Sequence, residues 1–179
     1  PFAQGGNRLC YVHPADSNRC IKVRRPDRPL EELRRKKGFP KNLRPLSSFD
    51  DNQEEYKVMR DLEYRFGDSV LELVSRCYGF EDTDMGRGLC SELIRDTSGH
   101  ISHTLKQYLW DHGFSDTCQQ AVNTFAKRWC DLGVPSRDLI LHNLVVQLNT
   151  NGDITRLVAI DGLGDPNILP TWMLPLAIR

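Results

Sequence analysis

The sequence predicts an α+β protein in two parts, and each part has its own hydrophobic pattern. The first part alternates apolar and polar residues in short runs, which is typical of strands, around one long amphipathic segment. The second part has two amphipathic segments and then two apolar runs around an Asn-Gly turn. We expect a small antiparallel sheet with one helix, followed by a mainly helical region that carries a β-hairpin.

The N-terminal residues predict two short strands, residues 9–13 and 20–23, joined by a polar turn. Residues 24–45 are rich in Pro, Lys and Arg and predict an exposed excursion with a short helix over residues 30–37. This excursion is the least core-like segment of the chain.

Residues 51–66 predict the single helix of the first part, because their apolar residues recur at helical spacing behind an aspartate that can cap the first turn. Two further strands, residues 74–79 and 88–94, follow on either side of the polar turn 82–87. We expect these two strands to close the small sheet.

Two helices are expected in the second part, over residues 101–112 and 115–132. Ser115 caps the longer helix and Gly133 ends it. Trp110 and Trp129 stand at core spacing, which favours packing of both indoles in the core.

Composition limits the classes of protein to which the chain can belong. Of 179 residues, 39% are hydrophobic, and 24 basic residues balance 24 acidic ones, so the overall charge recruits neither nucleic acid nor an anionic membrane. No apolar run is long enough to span a membrane. Six cysteines without a CxxC pair favour a reducing, cytoplasmic location over a disulfide framework. We expect parts 1–95 and 96–179 to fold as one cooperative domain.

The richest chemistry is predicted around the last hairpin, whose strands are residues 144–148 and 154–160. A turn centred on Asn-Gly at 151–152 places Asn143 opposite residue 160 and beside Asp161. Amide and carboxylate oxygens are ligands that Mg²⁺ prefers, so the pair predicts a magnesium site. Asp138, on the loop before the hairpin, is a candidate base or hydroxyl-orienting group.

The loop itself reads Arg-Asp-Leu-x-x-x-Asn from residue 137 to residue 143, which resembles the catalytic loop of protein kinases and related phosphotransferases. Asp161 is similar to the metal-binding aspartate of those enzymes. The resemblance implies ATP or another nucleoside triphosphate with Mg²⁺ held by Asn143 and Asp161, and it implies a catalytic role for Asp138.

A second set of residues in the first part carries the same resemblance. Cys-Ile-Lys-Val at 20–23 is similar to the strand whose lysine, here Lys22, grips the α- and β-phosphates. Glu55 matches the helix glutamate that pairs with this lysine, and Glu54 is the near alternative. Strand alternation puts Cys20 on the side of Lys22, over the base. Glu92 corresponds to the hinge that meets the adenine edge.

More closely, Gly-Gly-Asn-Arg-x-Cys-Tyr-x-His-Pro over residues 5–14, with the later Tyr-Gly at 78–79, resembles the bacterial YrbL family of the PhoP regulatory network. The resemblance extends from residue 4 to about residue 170. It implies an abbreviated, two-lobed protein-kinase-like fold and a link to a two-component regulon. It also implies that the backbone of Gly5, Gly6, Asn7 and Arg8 replaces the usual glycine-rich loop and faces the phosphates.

Alternatives stay open beside this interpretation. Ser136 stands where kinases have a histidine, and Asp161 precedes Gly-Leu-Gly instead of Phe-Gly. A non-catalytic, nucleotide-binding regulatory or scaffold module is therefore the second hypothesis, and a basic interaction domain is the third. Taken singly, Lys22 would be read as a surface lysine and Glu55 as a solvated helix charge.

The predicted partners are a nucleotide and, through the basic residues of 24–44, an acidic protein. Nucleic acid is not expected there, because Phe39 is the one aromatic side chain in that stretch that could stack on bases.

Overall fold

The computed structural model describes residues 1–164, and they form a mixed α+β protein, as predicted. The strands are β1 Ala3–Gln4, β2 Arg8–Val12, β3 Arg19–Arg24, β4 Cys77–Thr83, β5 Gly86–Glu92, β6 Leu144–Leu148 and β7 Ile154–Ala159. The helices are α1 Leu30–Lys36, α2 Asp51–Phe66, α3 Leu105–His112 and α4 Asp116–Leu132. Short 3₁₀ turns cover residues 41–43, 46–49 and 67–72. Residues 165–179, the end of the predicted second part, lie outside the described range.

Two compact units divide the described chain. The first contains residues 1–60 and 76–93, and the second contains residues 61–75 together with the chain from residue 94 onward. Among residues 1–164, no helix combines the length and the apolar character that crossing a membrane requires.

The first unit is built on a five-stranded antiparallel sheet in the order β1-β2-β3-β5-β4. The central strand of this sheet, β3, is buried from Cys20 to Val23. A strand that is covered on both faces has apolar residues at nearly every position, and Lys22 interrupts the apolar run here. Close packing at the centre requires Gly88 on β5, because a Cβ there would lie 2.4 Å from Ile21 Cγ2.

Residues 24–45 form the exposed excursion that their composition predicts. Helix α1 buries no residue, and its charges are partly met locally, as in the ion pair between Lys36 and Glu32. Phe39 is highly exposed. A protein partner for this segment stays a prediction.

In the second unit, α3 packs against β6 and α4 packs against β7. Both helices begin at a side-chain cap: Thr104 Oγ1 accepts from Gln107 N–H, and Ser115 Oγ accepts from Cys118 N–H. Helix α4 ends at Gly133, whose φ of +67° is the left-handed conformation expected of a C-terminal glycine. Both ends of α4 are therefore as predicted.

The hairpin β6–β7 has the predicted register. Leu144 pairs with Ala159, and Ile160 N–H donates to Asn143 O over 2.9 Å. The pairing shifts by one residue between Gln147 and Leu148, next to the loop, without changing the register at the open end.

Four local predictions were wrong. The turn expected at 82–87 contains only residues 84–85, because β4 continues to Thr83 and β5 begins at Gly86. The strand expected at 74–79 begins at Cys77, because Val74 makes an isolated bridge to Ala159 and is buried in the second unit. The helix expected from residue 101 begins at Leu105, since Ile101 is extended and pairs with Arg95.

The fourth wrong prediction concerns a tryptophan. Trp110 is 85% exposed, whereas Trp129 is buried as expected. The buried residues of α3 are Leu105 and Tyr108, one turn apart, and Trp110 lies off that face. The size and hydrophobicity of Trp110 predict burial, but its position on α3 faces away from the packed side.

Candidate functional site

In the first unit, the side chains of Lys22 on β3 and Glu55 on α2 form a buried ion pair. Lys22 Nζ lies 2.6 Å from Glu55 Oε1, and the two side chains are only 9% and 11% exposed. Lys22 is therefore not a surface lysine, and Glu55 is not a solvated helix charge. The structure selects Glu55 over Glu54, which is bridged to Lys57 at 3.9 Å.

Helix periodicity explains why a carboxylate stands here. The buried stripe of α2 includes Met59 and Leu62, and its continuation toward the N-terminus falls on Glu55 and Asn52. Asn52 is buried, and its Nδ2 donates to Lys22 O over 2.8 Å. Polar residues on the core-facing stripe of a helix were thus the available signal for a functional pair.

Glu55 also accepts from Arg8 Nη1 through its second oxygen, so two cations share one carboxylate. Burial alone would raise the pKa of Glu55, but the Lys22 ammonium and the Arg8 guanidinium outweigh it and hold that pKa below its ordinary value. The carboxylate therefore stays ionised at neutral pH. The resemblance implies only a backbone role for Arg8 toward phosphate, so the contact of its side chain with Glu55 is not among the predictions.

The Gly-Gly-Asn-Arg segment is tied to the start of α2 by its side chains. Asn7 Nδ2 donates to Asp51 Oδ2 over 2.9 Å, next to the contact of Arg8 with Glu55. Within the segment, Gly5 N–H donates to Arg8 O, while Gly6 has open space around its Cα. The Gly5 amide is consequently engaged and is a poor phosphate ligand as it stands.

Alternation along β3 places Cys20 and Lys22 on the same side of the strand. Cys20 is 5% exposed, and its Sγ lies 3.3 Å from Ser91 Oγ. The thiol is thus covered by protein atoms, and its exposed fraction is smaller than expected for a cysteine that lines an open pocket.

Glu92, at the end of β5, has its backbone amide occupied. Glu92 N–H donates to Arg76 O, and the Glu92 side chain accepts from Arg76 N–H. The next amide, Leu93 N–H, donates to Asn18 O. These two amides are therefore committed to the protein and do not offer an edge to adenine.

In the second unit, the loop before β6 is locked to the end of β7 at Gly162. Arg137 N–H and Asp138 N–H both donate to Gly162 O, at 2.8 and 3.1 Å, and Asn143 Nδ2 donates to Asp138 O at 2.8 Å. A Cβ on Gly162 would lie 2.2 Å from Asp138 O. This close packing therefore requires glycine at position 162, and the hydrogen bonds hold Asp138, Asn143 and the Asp161–Gly162 peptide together.

The side-chain oxygens of this loop are of a type that suits a hard cation. Asp161 is exposed, with its Oδ1 accepting from Gly162 N–H over 2.7 Å. Asn143 uses its Nδ2 on the loop, which leaves its Oδ1 as the ligand atom. Asp138 is exposed beside them. The donor set is of the kind that Mg²⁺ binds in phosphate-handling sites.

The fold and these two sets of residues define a mixed α+β protein with a buried lysine–glutamate pair and an oxygen-rich loop. The chain belongs to the family described as PhoP regulatory network protein YrbL, whose profile matches residues 1–177. It is 25% identical over 179 residues to the YrbL proteins of Escherichia coli (strain K12) and Shigella flexneri. The alignment covers 96% of this chain and 75% of each relative. The predicted resemblance to the YrbL family is confirmed.

Proposed function

We propose that this chain binds ATP or another nucleoside triphosphate with Mg²⁺ and transfers a phosphoryl group to an acceptor. The observation that carries the proposal is the buried Lys22–Glu55 pair. A lysine positioned by a helix carboxylate presents a fixed positive charge, which suits the α- and β-phosphate oxygens. Protein kinases use the same pair, so this pair also supports the abbreviated, two-lobed kinase-like fold as a proposal.

The proposed roles follow the chemistry of each group. Lys22 binds phosphate oxygens, Asn143 and Asp161 hold Mg²⁺, and Asp138 orients the acceptor hydroxyl. A bound nucleotide supplies the phosphoryl group, and the metal ion neutralises charge on it. The protein contributes mostly position and electrostatics. Within the same proposal, the association of the family with the PhoP regulatory network extends to this chain.

A non-catalytic regulatory module is the second candidate, and a specific observation favours it. The N–H groups of Gly5, Glu92 and Leu93, which would serve phosphate and adenine in a kinase-like site, already donate to protein carbonyls. Ser136 also stands where protein kinases have a histidine, and its backbone makes an isolated bridge to Leu163. Nucleotide binding without turnover would be the signature of this module.

Ligand-dependent thermal stability tests nucleotide binding. At about 100 times the dissociation constant, ATP with Mg²⁺ should stabilise the protein by about 2.7 kcal/mol. We expect Asp161→Asn to remove the Mg²⁺-dependent part of this gain while leaving the melting temperature without ligand nearly unchanged, because the side chain is exposed. Asp131→Asn on α4, another exposed carboxylate of the second unit, is the matched control. A full Mg²⁺ response in Asp161→Asn would exclude Asp161 from the metal site.

Turnover separates the two candidates. Asp138→Asn should keep ATP binding and lose phosphoryl transfer or slow ATP hydrolysis, because Asp138 is assigned to the acceptor and not to the metal. Equal loss of binding and turnover would contradict that assignment. A wild-type protein that binds nucleotide and never turns it over would favour the regulatory module.

A further inference from the structure

A second cluster of chemically active side chains lies in the first unit, apart from Lys22. It consists of His13 just after β2, Glu81 on β4 and Cys90 on β5. Their ligand atoms all lie within 4.8 Å of one another, and His13 Nε2 is 2.8 Å from Glu81 Oε2. Because Cys90 pairs with Ile21 and Leu89 pairs with Lys22, alternation places Cys90 on the opposite face of the sheet from Lys22.

Burial distinguishes this cluster from ordinary surface charges. Cys90 is fully buried, and the His13 side chain is 12% exposed, while Glu81 is open to solvent on one side. Two of the three residues project from paired strands, so their positions are set by the backbone. Elsewhere in residues 1–164, no other three His, Cys, Asp or Glu side chains converge in this way.

We propose that His13, Glu81 and Cys90 bind a zinc ion. Imidazole nitrogen, carboxylate oxygen and thiolate sulfur are the three ligand types that zinc takes in proteins, and three protein ligands leave a fourth position for water or an external ligand. The ion would join the segment after β2 to strands β5 and β4, and β3 lies between β2 and these two strands in the sheet order. It would therefore tie the sheet together as well as expose an exchangeable position.

Zinc binding at this cluster releases one proton for each ion. Without metal, Ala15 N–H donates to His13 Nδ1, so Nε2 carries the imidazole proton and donates it to Glu81. Zinc at Nε2 moves that proton to Nδ1, and the exposed Ala15 N–H then bonds to water. The Cys90 thiol loses its proton to solvent, so one proton is released for each ion bound.

The local charges also balance. The Glu81 carboxylate and the Cys90 thiolate together offset the two charges of zinc. The Arg19 guanidinium acts on both groups and opposes a cation, but its charge is partly offset by Asp16 at 3.0 Å, and it also contacts the Tyr78 ring at 4.1 Å. The site is consequently close to neutral when filled, apart from Arg19.

Cobalt and zinc titrations of metal-free, reduced protein test the proposal. We expect one equivalent of Co²⁺ to produce a thiolate-to-cobalt charge-transfer band that Zn²⁺ abolishes. Cys90→Ala should remove the band, and Glu81→Gln should weaken zinc binding at least about tenfold, measured by competition with a chromophoric chelator. Cys130→Ser, which removes an exposed thiol on α4, is the matched control and should behave as wild type.

Three outcomes would overturn the zinc site: no band in the wild type, a band that survives in Cys90→Ala, or a band lost equally in Cys130→Ser. Far-ultraviolet circular dichroism shows whether each variant folds. If Cys90→Ala does not fold, Glu81→Gln and His13→Asn decide, and unchanged zinc affinity in both would overturn the proposal.

Discussion

Replacing Glu55 by glutamine tests the energetics of the buried ion pair most directly. Glutamine keeps the size of the side chain but leaves the Lys22 ammonium and the Arg8 guanidinium buried without the carboxylate that both contact. Removing one partner of a buried pair costs about 3–5 kcal/mol. We take the lower end, about 3 kcal/mol, because the glutamine oxygen can still accept one hydrogen bond.

Thermal unfolding followed by circular dichroism measures this cost. For a chain of this size, about 3 kcal/mol corresponds to a melting temperature lower by about 6–12 °C. Glu54→Gln, one residue away, is the matched control: its 3.9 Å bridge to Lys57 is more exposed, so its loss should cost less than about 1 kcal/mol. Equal shifts in the two variants would show that the buried pair of Glu55 stabilises the fold no more than the exposed pair of Glu54 does.

Acid titration of the wild type and of Glu55→Gln tests the direction in which the stability contribution of Glu55 changes with pH. The folded-state pKa of Glu55 is held below its ordinary value of 4.5, so its stabilising contribution is fully present above that pH. The contribution is lost as the pH falls through the folded-state pKa. The stability difference between wild type and Glu55→Gln should therefore be large at pH 7 and shrink below about pH 4.5. A difference that grows in acid would contradict the lowered pKa.

Two further predictions concern packing and thiol access. In urea unfolding, Gly162→Ala should destabilise the protein by at least about 1 kcal/mol more than Gly152→Ala. Both glycines have positive φ, but of the two only Gly162 has a backbone atom, Asp138 O, 2.2 Å from the added Cβ. In native-state alkylation mapped by mass spectrometry, the exposed Cys130 should react first and Cys90 should stay unmodified. The reason is that burial and the hydrogen bond with Glu81 raise the pKa of the Cys90 thiol to about 12. Faster labelling of Cys90 than of Cys130 would contradict the buried position of Cys90.

Local signals in the sequence determined much of the secondary structure. The helix at 51–66 and both ends of the helix at 116–132 were predictable because periodicity, an N-terminal serine cap and a C-terminal glycine all lie within one segment. The register at the open end of β6–β7 agrees with the one predicted from the Asn-Gly pair, since a hairpin pairs residues that are near in sequence, whereas the one-residue shift next to the loop was not predicted. The same register put Asn143 beside Asp161 before any tertiary information was needed.

Tertiary structure decided which distant residues meet. Arg8 reaches Glu55 across 47 positions, and His13 reaches Glu81 across 68. Sequence patterns report which face a residue occupies, but not which strand becomes its neighbour, because strand order depends on the packing of the whole sheet. The exposure of Trp110 was undetermined for the same reason: its hydrophobicity is a property of the residue, whereas its burial depends on what packs against α3.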